Sequence, residues 1–337
     1  MALRLAMALS GRIAADLGAK VLRIEDPATE PLRRMAPIVS GRSALYAFLN
    51  AGKQLVAPAD AALQELQADV LLSPRRELSA SNARRQVQVF YSMLGNHVPD
   101  DTPNSEFTVL ASSGLLNLVG DPAREPLRLG GHQAAYAAGL SGFAGAMGAL
   151  MLERGETVRV SLLECAVWLN WKNVANSPVL PDTPPPSRAG RSGDWPVVRC
   201  KDGWIALVYQ PADWARLCAL AGNHPRLCEP AMADPIVRAR HGEEIARWFE
   251  EAWHDRSRAE LEQEFMRARL PSGAIWSPQE LAQDEQYLAR DFLRQLEIDG
   301  TGETRALPRL PVLWNQNAFE PGSFPHTATA PAHLSLA

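Results

Sequence analysis

Apolar positions in the first part of the chain switch repeatedly between a helical and a strand spacing. The run LAMALSGRIAADL at 5–17 repeats its apolar residues at helical intervals, and Gly18 stands where a left-handed cap would end the helix. Lys20 to Ile24 then alternates as a strand and is halted by Glu25, Asp26 and Pro27. A helical segment from Pro58, well suited to a first helical position, to Gln67 precedes a short strand at Asp69 to Leu72, and another strand follows at Val87 to Tyr91. Helix and strand in alternation predict an α/β layer around a mostly parallel sheet.

The stretch RLGGHQAAYAAGLSGFAGAMGALMLER at 128–154 carries no charge from His132 to Leu152, and small residues such as Ala134, Ala138, Gly139, Gly142, Gly145 and Gly148 fill it. Its length would suit a bilayer, but Gly and Ala bury little apolar area and no second such segment exists. A buried helix that approaches neighbouring backbone closely is expected, with no membrane partner. Thr157 to Ser161 reads as a strand and Leu162 to about Val174 as a helix. The composition then shifts to Pro178, Pro181, Pro184, Pro185 and Pro186 with Ser187, Gly190, Ser192 and Gly193, a linker. Beyond it, VVRCKDGWIALVY predicts a hairpin turning at Asp202-Gly203. Amphipathic segments from Asp213 to Ala221 and Glu243 to Trp253 predict helices that bury Trp248 and Trp253. Strand-like pieces at Phe292 to Ile298 and Leu310 to Trp314 precede a tail rich in Pro, Ala and Thr. The organisation expected is a large α/β domain at 1–176, a linker at 177–193, a small α+β domain at 194–280 and a C-terminal segment at 281–337.

A length of 337 residues agrees with about two domains, and 46% hydrophobic with 21% charged residues is ordinary for a globular core. The net charge of −4, without a block of Lys or Arg, excludes a nucleic-acid partner. Cys165, Cys200, Cys218 and Cys228 show neither zinc nor disulfide-framework spacing and are expected to be reduced thiols of a cytoplasmic protein. The opening apolar run is interrupted by Ser10, Gly11, Arg12 and Asp16, unlike a signal peptide.

Gly130-Gly131 lacks the Gly and Lys of a phosphate loop, and no G-x-G-x-x-G joins a strand to a helix, so NAD is not expected. His132 before the Gly/Ala helix suits a base, a neutral hydrogen-bond donor or a purely structural residue. Gln133 beside it is placed to bond an unpaired amide of the first turn. Glu164 opens a helix, where its charge is favourable in itself or available as a general base. Lys53, between a helix and a short strand, is either a solvated cation or a phosphate contact. No metal-spaced group stands out.

Several segments in common order resemble the family III CoA-transferases: GRIAADLGAKVLRIEDP, LNAGKQLV, ASSGLLNLVGDP, AAGLSGFAGAMGALMLER, VRVSLLECAVWL, CKDGWIALV, LPSGAIWSPQELAQDEQYLARDFL and LPRLPV. That group includes formyl-CoA transferase, carnitine CoA-transferase and the α-methylacyl-CoA racemases. The resemblance implies a Rossmann-like large domain built from both chain ends, a small domain, and two subunits interlocked as a dimer. It implies CoA or acyl-CoA as substrate with a small carboxylic acid, and no tightly bound cofactor. Leu5 and Ala6 match the loop at the entrance of the first helix, and Lys53 matches a lysine that contacts CoA. The nucleophilic Asp of the transferases lies four residues before the Gly of A-A-G-L, which here is Ala135. Gln133, Ala134 and Tyr136 also lack a carboxylate, and only Arg188 to Gly193 is available as a Gly-rich loop. The dimer expected is a homodimer or a heterodimer with a related CoA-transferase subunit, and acyl-CoA:carboxylate CoA transfer would need the related subunit to supply the Asp. The competing expectations are a racemase- or lyase-type enzyme using His132, with Glu164 behind it, and a non-catalytic acyl-CoA-binding scaffold.

Overall fold

The structure is a computed structural model that describes residues 1–58, 68–74, 86–99, 101–121, 123–176, 195–298, 302–320, 322, 323 and 325–327. The helix expected at 58–67, the linker at 177–193 with its Arg188 to Gly193 segment, and the tail after 327 lie outside the described residues. By contacts the chain divides into two units, one formed by residues 1–119, 127–186 and 285–337, the other by 120–126 and 187–284.

In the larger unit, helix α1 (Ala2–Asp16) runs into Gly18, whose φ of +98° supplies the left-handed turn that releases strand β1 (Leu22–Ile24). Ser43 caps α2 (Ala44–Asn50), and β2 (Gln54–Val56) follows. β2 is the centre of a parallel three-stranded sheet, with Leu22 opposite Gln54 on one side and the strand His326–Thr327 from the far end of the chain on the other. A second parallel sheet joins β3 (Val70–Ser73), β4 (Val87–Ser92) and, beyond α3 (Glu106–Ser112) and α4 (Gln133–Leu150), β5 (Glu156–Ser161). Both sheets are thus parallel, as the alternation of elements predicts.

α4 is the Gly/Ala helix, and its small residues decide how it packs. Ala134, Ala135 and Ala138 are buried in one core cluster with Leu5 and Ala6 of α1 and Val87 and Val89 of β4. A Cβ on Gly139 would stand 2.8 Å from the carbonyl oxygen of Ala6, and one on Gly142 would overlap the Tyr91 hydroxyl. Ser10 of α1 then donates to the Gly139 carbonyl at 2.5 Å and accepts from the Tyr91 hydroxyl at 2.6 Å, joining α1, α4 and β4 through one chain of bonds. Burial pushes the Tyr91 phenol up to about 12, so it remains a donor. Among the described residues no helix is long and apolar enough to cross a membrane.

The helix expected over Leu162 to Val174 is two helices, α5 (Leu162–Leu169) and a turn at Trp171–Asn176. Asn170 breaks it: its side chain is buried and donates to the Ser113 carbonyl at 3.0 Å, drawing the backbone out of helical register.

In the smaller unit Val197–Cys200 and Gly203–Leu207 form the expected hairpin, but the turn residues are Lys201 and Asp202, with Gly203 paired opposite Cys200. Ser272–Ala274 extends this antiparallel sheet. The helix Gly242–Trp253 buries Trp253, which stacks on Phe249 at 4.8 Å and meets Phe265 edge-on, whereas Trp248 packs partly buried at the margin. Back in the larger unit, Leu293–Glu297 pairs with Thr304–Pro308, and Leu313–Trp314 with Asn317–Ala318.

The α1–α4 contact makes a test available within one helix. Gly142→Ala should lower stability by about 1–3 kcal/mol through overpacking at Tyr91, whereas Gly148→Ala, which meets nothing within 4 Å, should be neutral or raise it by about 0.5–1 kcal/mol. Urea denaturation of both variants measures the contrast, and equal effects would remove Tyr91 as its cause.

Candidate active site

The N-terminus of α4 exposes backbone N–H groups that need acceptors, and its N-cap residue, His132, supplies no side-chain oxygen. The acceptor comes from another helix. Ser105 and Thr108 form a capping box that fixes the first turn of α3, and Glu106 in that turn reaches under α4. Its Oε1 accepts from the Ala135 amide at 3.1 Å and its Oε2 lies 2.6 Å from Nδ1 of His132. The carboxylate is 8% exposed and sits at the positive end of an 18-residue helix. With the carboxylate as acceptor, His132 donates from Nδ1, which leaves Nε2 without a hydrogen bond among the described residues. Tyr136, one turn on, meets the imidazole edge-on with centroids 6.3 Å apart, and burial followed by the Glu106 charge raises its phenol pKa.

Ala135 presents only a methyl group, fully buried between Ala134 and Ala138 in the core cluster. Gln133 does not bond a free amide: its Nε2 donates to the Gly130 carbonyl at 2.8 Å, because Glu106 already occupies the helix end. Glu164 lies in the first turn of α5, where Ser161 caps its amide at 3.2 Å. Its carboxylate faces Gly95: a Cβ there would stand 3.6 Å from Oε1. No hydrogen bond joins His132 to Glu164.

Gly95, with a φ of +100°, belongs to a cleft at the carboxyl ends of β3 and β4. Leu3 of the first turn of α1, Pro74, Ser92, Val98 and Asn104 also line it. Ligands of open parallel α/β sheets bind at such strand ends. Leu5 and Ala6, expected in a loop, sit a turn inside α1 and are buried, because the helix starts at Ala2. Lys53 is 2% exposed, so it is no solvated cation: its ammonium donates to the Ala8 carbonyl of α1 at 2.7 Å and to Oδ1 of Asn50 at 3.0 Å. Burial, with Arg23 and Arg12 nearby, lowers its pKa well below the usual lysine value. Next to it, burial pushes Glu25 up, but bonds from Tyr46, Arg23 and Arg33 outweigh this and hold it below the ordinary carboxylate range. Among the described residues no group of three or more His, Cys, Asp or Glu is placed to hold a metal ion.

Parallel strands, a cleft at their carboxyl ends, and a small-residue helix whose first turn is held by the Glu106 carboxylate define an α/β protein with a candidate site at the Glu106–His132 pair. The description CoA-transferase family III matches residues 2–77 and 83–327, and the chain belongs to that family. Among curated proteins it is 28% identical over 270 residues to succinyl-CoA:(R)-benzylsuccinate CoA-transferase subunit BbsE of Thauera aromatica, a match that covers 71% of this chain and 62% of that protein. It is 25% identical to cinnamoyl-CoA:phenyllactate CoA-transferase of Clostridium sporogenes, covering 91% of this chain and 83% of the relative. A CAIB/BAIF family protein from Brucella suis shares the fold with a TM-score of 0.80 at 20% identity, over 94% of this chain and 91% of that one. Rv3272 from Mycobacterium tuberculosis does so with a TM-score of 0.77 at 19% identity, over 96% and 92%.

Lys53 binds its proton less firmly in the folded chain than in the unfolded one, so between the two pKa values the unfolded state holds more protons and stability rises with pH. From about pH 7 to about pH 9.5, unfolding free energy should change more positively for the wild type than for Lys53→Met. Chemical denaturation at the two pH values checks this; identical changes would mean that the amine is not desolvated.

Proposed function

We propose that this chain handles a CoA thioester and completes acyl-CoA:carboxylate CoA transfer together with a related subunit that carries the nucleophilic carboxylate. The observation that carries this reading is Ala135. Transfer requires a carboxylate that attacks the thioester carbon and expels CoA as thiolate; the thiolate then attacks the protein carbonyl of the anhydride and frees the donor acid. The acceptor carboxylate expels CoA from that thioester to form a second anhydride, and the thiolate finally takes the acceptor's acyl carbon and displaces the protein carboxylate. A methyl group offers no electron pair, and the carboxylate beside it, Glu106, has each oxygen engaged, one by the Ala135 amide and the other by His132. That a relative is described as a subunit, BbsE, supports the same reading. In this proposal CoA enters the cleft at the strand ends beside the first turn of α1. Leu5 and Ala6 anchor that helix in the core, and Lys53 holds it from beneath through the Ala8 carbonyl. The two subunits interlock, and the pair works in the cytoplasm.

The test is a thioester-exchange assay with an acyl-CoA donor and a free carboxylate, run with the purified chain alone and with a co-expressed related subunit. Exchange is expected only in the pair. Turnover by the chain alone that disappears in Glu106→Gln would overturn the proposal and make Glu106 the nucleophile.

A second reading is favoured by the Glu106–His132 bond. A carboxylate on Nδ1 orients the ring and leaves the Nε2 lone pair available, an arrangement suited to removing a proton next to a thioester carbonyl. Wash-in of solvent deuterium at that carbon would then be lost in His132→Ala and fall about 10–100-fold in Glu106→Gln. Unchanged wash-in in His132→Ala rejects this reading. CoA binding with neither exchange nor wash-in, whether alone or with the related subunit, identifies a scaffold.

A further inference from the structure

The smaller unit holds two cysteines that the chain folds back to bring together. Cys218 lies on the helix Trp214–Leu220 and is 5% exposed. Gly222 at φ +64° and Asn223 at φ +56° make a left-handed turn in which the Asn223 amide bonds the Cys218 carbonyl at 2.9 Å. A single helical turn follows, closed by the Cys228 amide on the His224 carbonyl at 3.1 Å. This return places the Leu227 carbonyl 3.4 Å from Sγ of Cys218 and 3.2 Å from the Trp214 indole nitrogen, fixing the backbone immediately before Cys228 against the helix. Cys228, the residue that follows this carbonyl, is exposed to solvent and is a free thiol like Cys218. Burial disfavours a thiolate at Cys218, and the charge of Arg238 offsets this only in part; Arg238 is 1% exposed and its Nε has no partner. Two thiols on the facing segments of this tight return, one open to solvent and the other buried, suit an attacking and a resolving pair.

We propose that Cys218 and Cys228 form a reversible disulfide, a modification site that staples the segment after Leu220 to its own helix when a disulfide oxidant is present. The Cys228 thiolate attacks one sulfur of a low-molecular-weight disulfide such as glutathione disulfide. An S–S bond forms on Cys228 and one glutathione thiolate leaves. Cys218 gives up its proton to solvent and attacks Sγ of Cys228, expelling the second glutathione as thiolate. The protein loses two hydrogens and two electrons, and glutathione disulfide is reduced to two glutathiones. Burial pushes the Cys218 thiol up to about 12, which makes the second step the slow one.

The test uses the full chain, reduced and then incubated with excess glutathione disulfide near pH 8, with free thiols blocked and peptides mapped by mass spectrometry. The expected product is a peptide cross-linked between Cys218 and Cys228, reversed by dithiothreitol, with one glutathione on Cys228 passing through as an intermediate. In Cys218→Ser the glutathione adduct on Cys228 should become the stable end product. A wild type that ends with glutathione retained on Cys228, or with both cysteines unmodified after prolonged incubation, overturns the proposal; this mapping needs no variant to fold.

Discussion

The approach of α4 to α1 sets the positions of the elements around the candidate site. Where Gly139 lies against the Ala6 carbonyl and Gly142 against the Tyr91 hydroxyl, there is no room for one more carbon, so the helices and β4 can meet at this depth only because those side chains are absent. The polar groups left at such a contact need partners, and Ser10 and Tyr91 supply them in one relay to the Gly139 carbonyl. This contact holds together α1, whose first turn lines the cleft through Leu3, and α4, whose first turn meets the Glu106–His132 pair. Lys53 supports α1 from the opposite side, exchanging hydration for two hydrogen bonds beneath the helix.

The parts of this arrangement that depend on periodicity are legible in the chain. The alternation of 5–17 and Lys20–Ile24, the uncharged Gly/Ala run and the short strands each carry a local signal, and each forms the element expected. Features that depend on a partner distant in sequence are not legible. Asn170 gives no local sign that it will leave a helix for the Ser113 carbonyl, 57 residues away. The capping role of Glu106 rests on an amide 29 residues later; a sequence reading shows a serine and an acid opening a helix, but not the second helix that the acid serves. Lys53 is ambiguous for the same reason: one of its two acceptors, the Ala8 carbonyl of α1, lies 45 residues away.

The end of α4 is where fold and chemistry compete for the same groups. An 18-residue helix starting at a glycine turn requires an anion or acceptor at its first amides. A carboxylate on the helix itself, as the resemblance assigns to position 135 in the transferases, would add a second negative charge beside Glu106 in a buried pocket, and like charges at that range hold a proton between them. With alanine at 135 the conflict is absent: Glu106 serves the helix end and the imidazole, and the α1–α4 core closes over a methyl group. The chain keeps the family fold with a buried methyl group at this position. That is why family membership and solo transfer activity are separate questions for this protein.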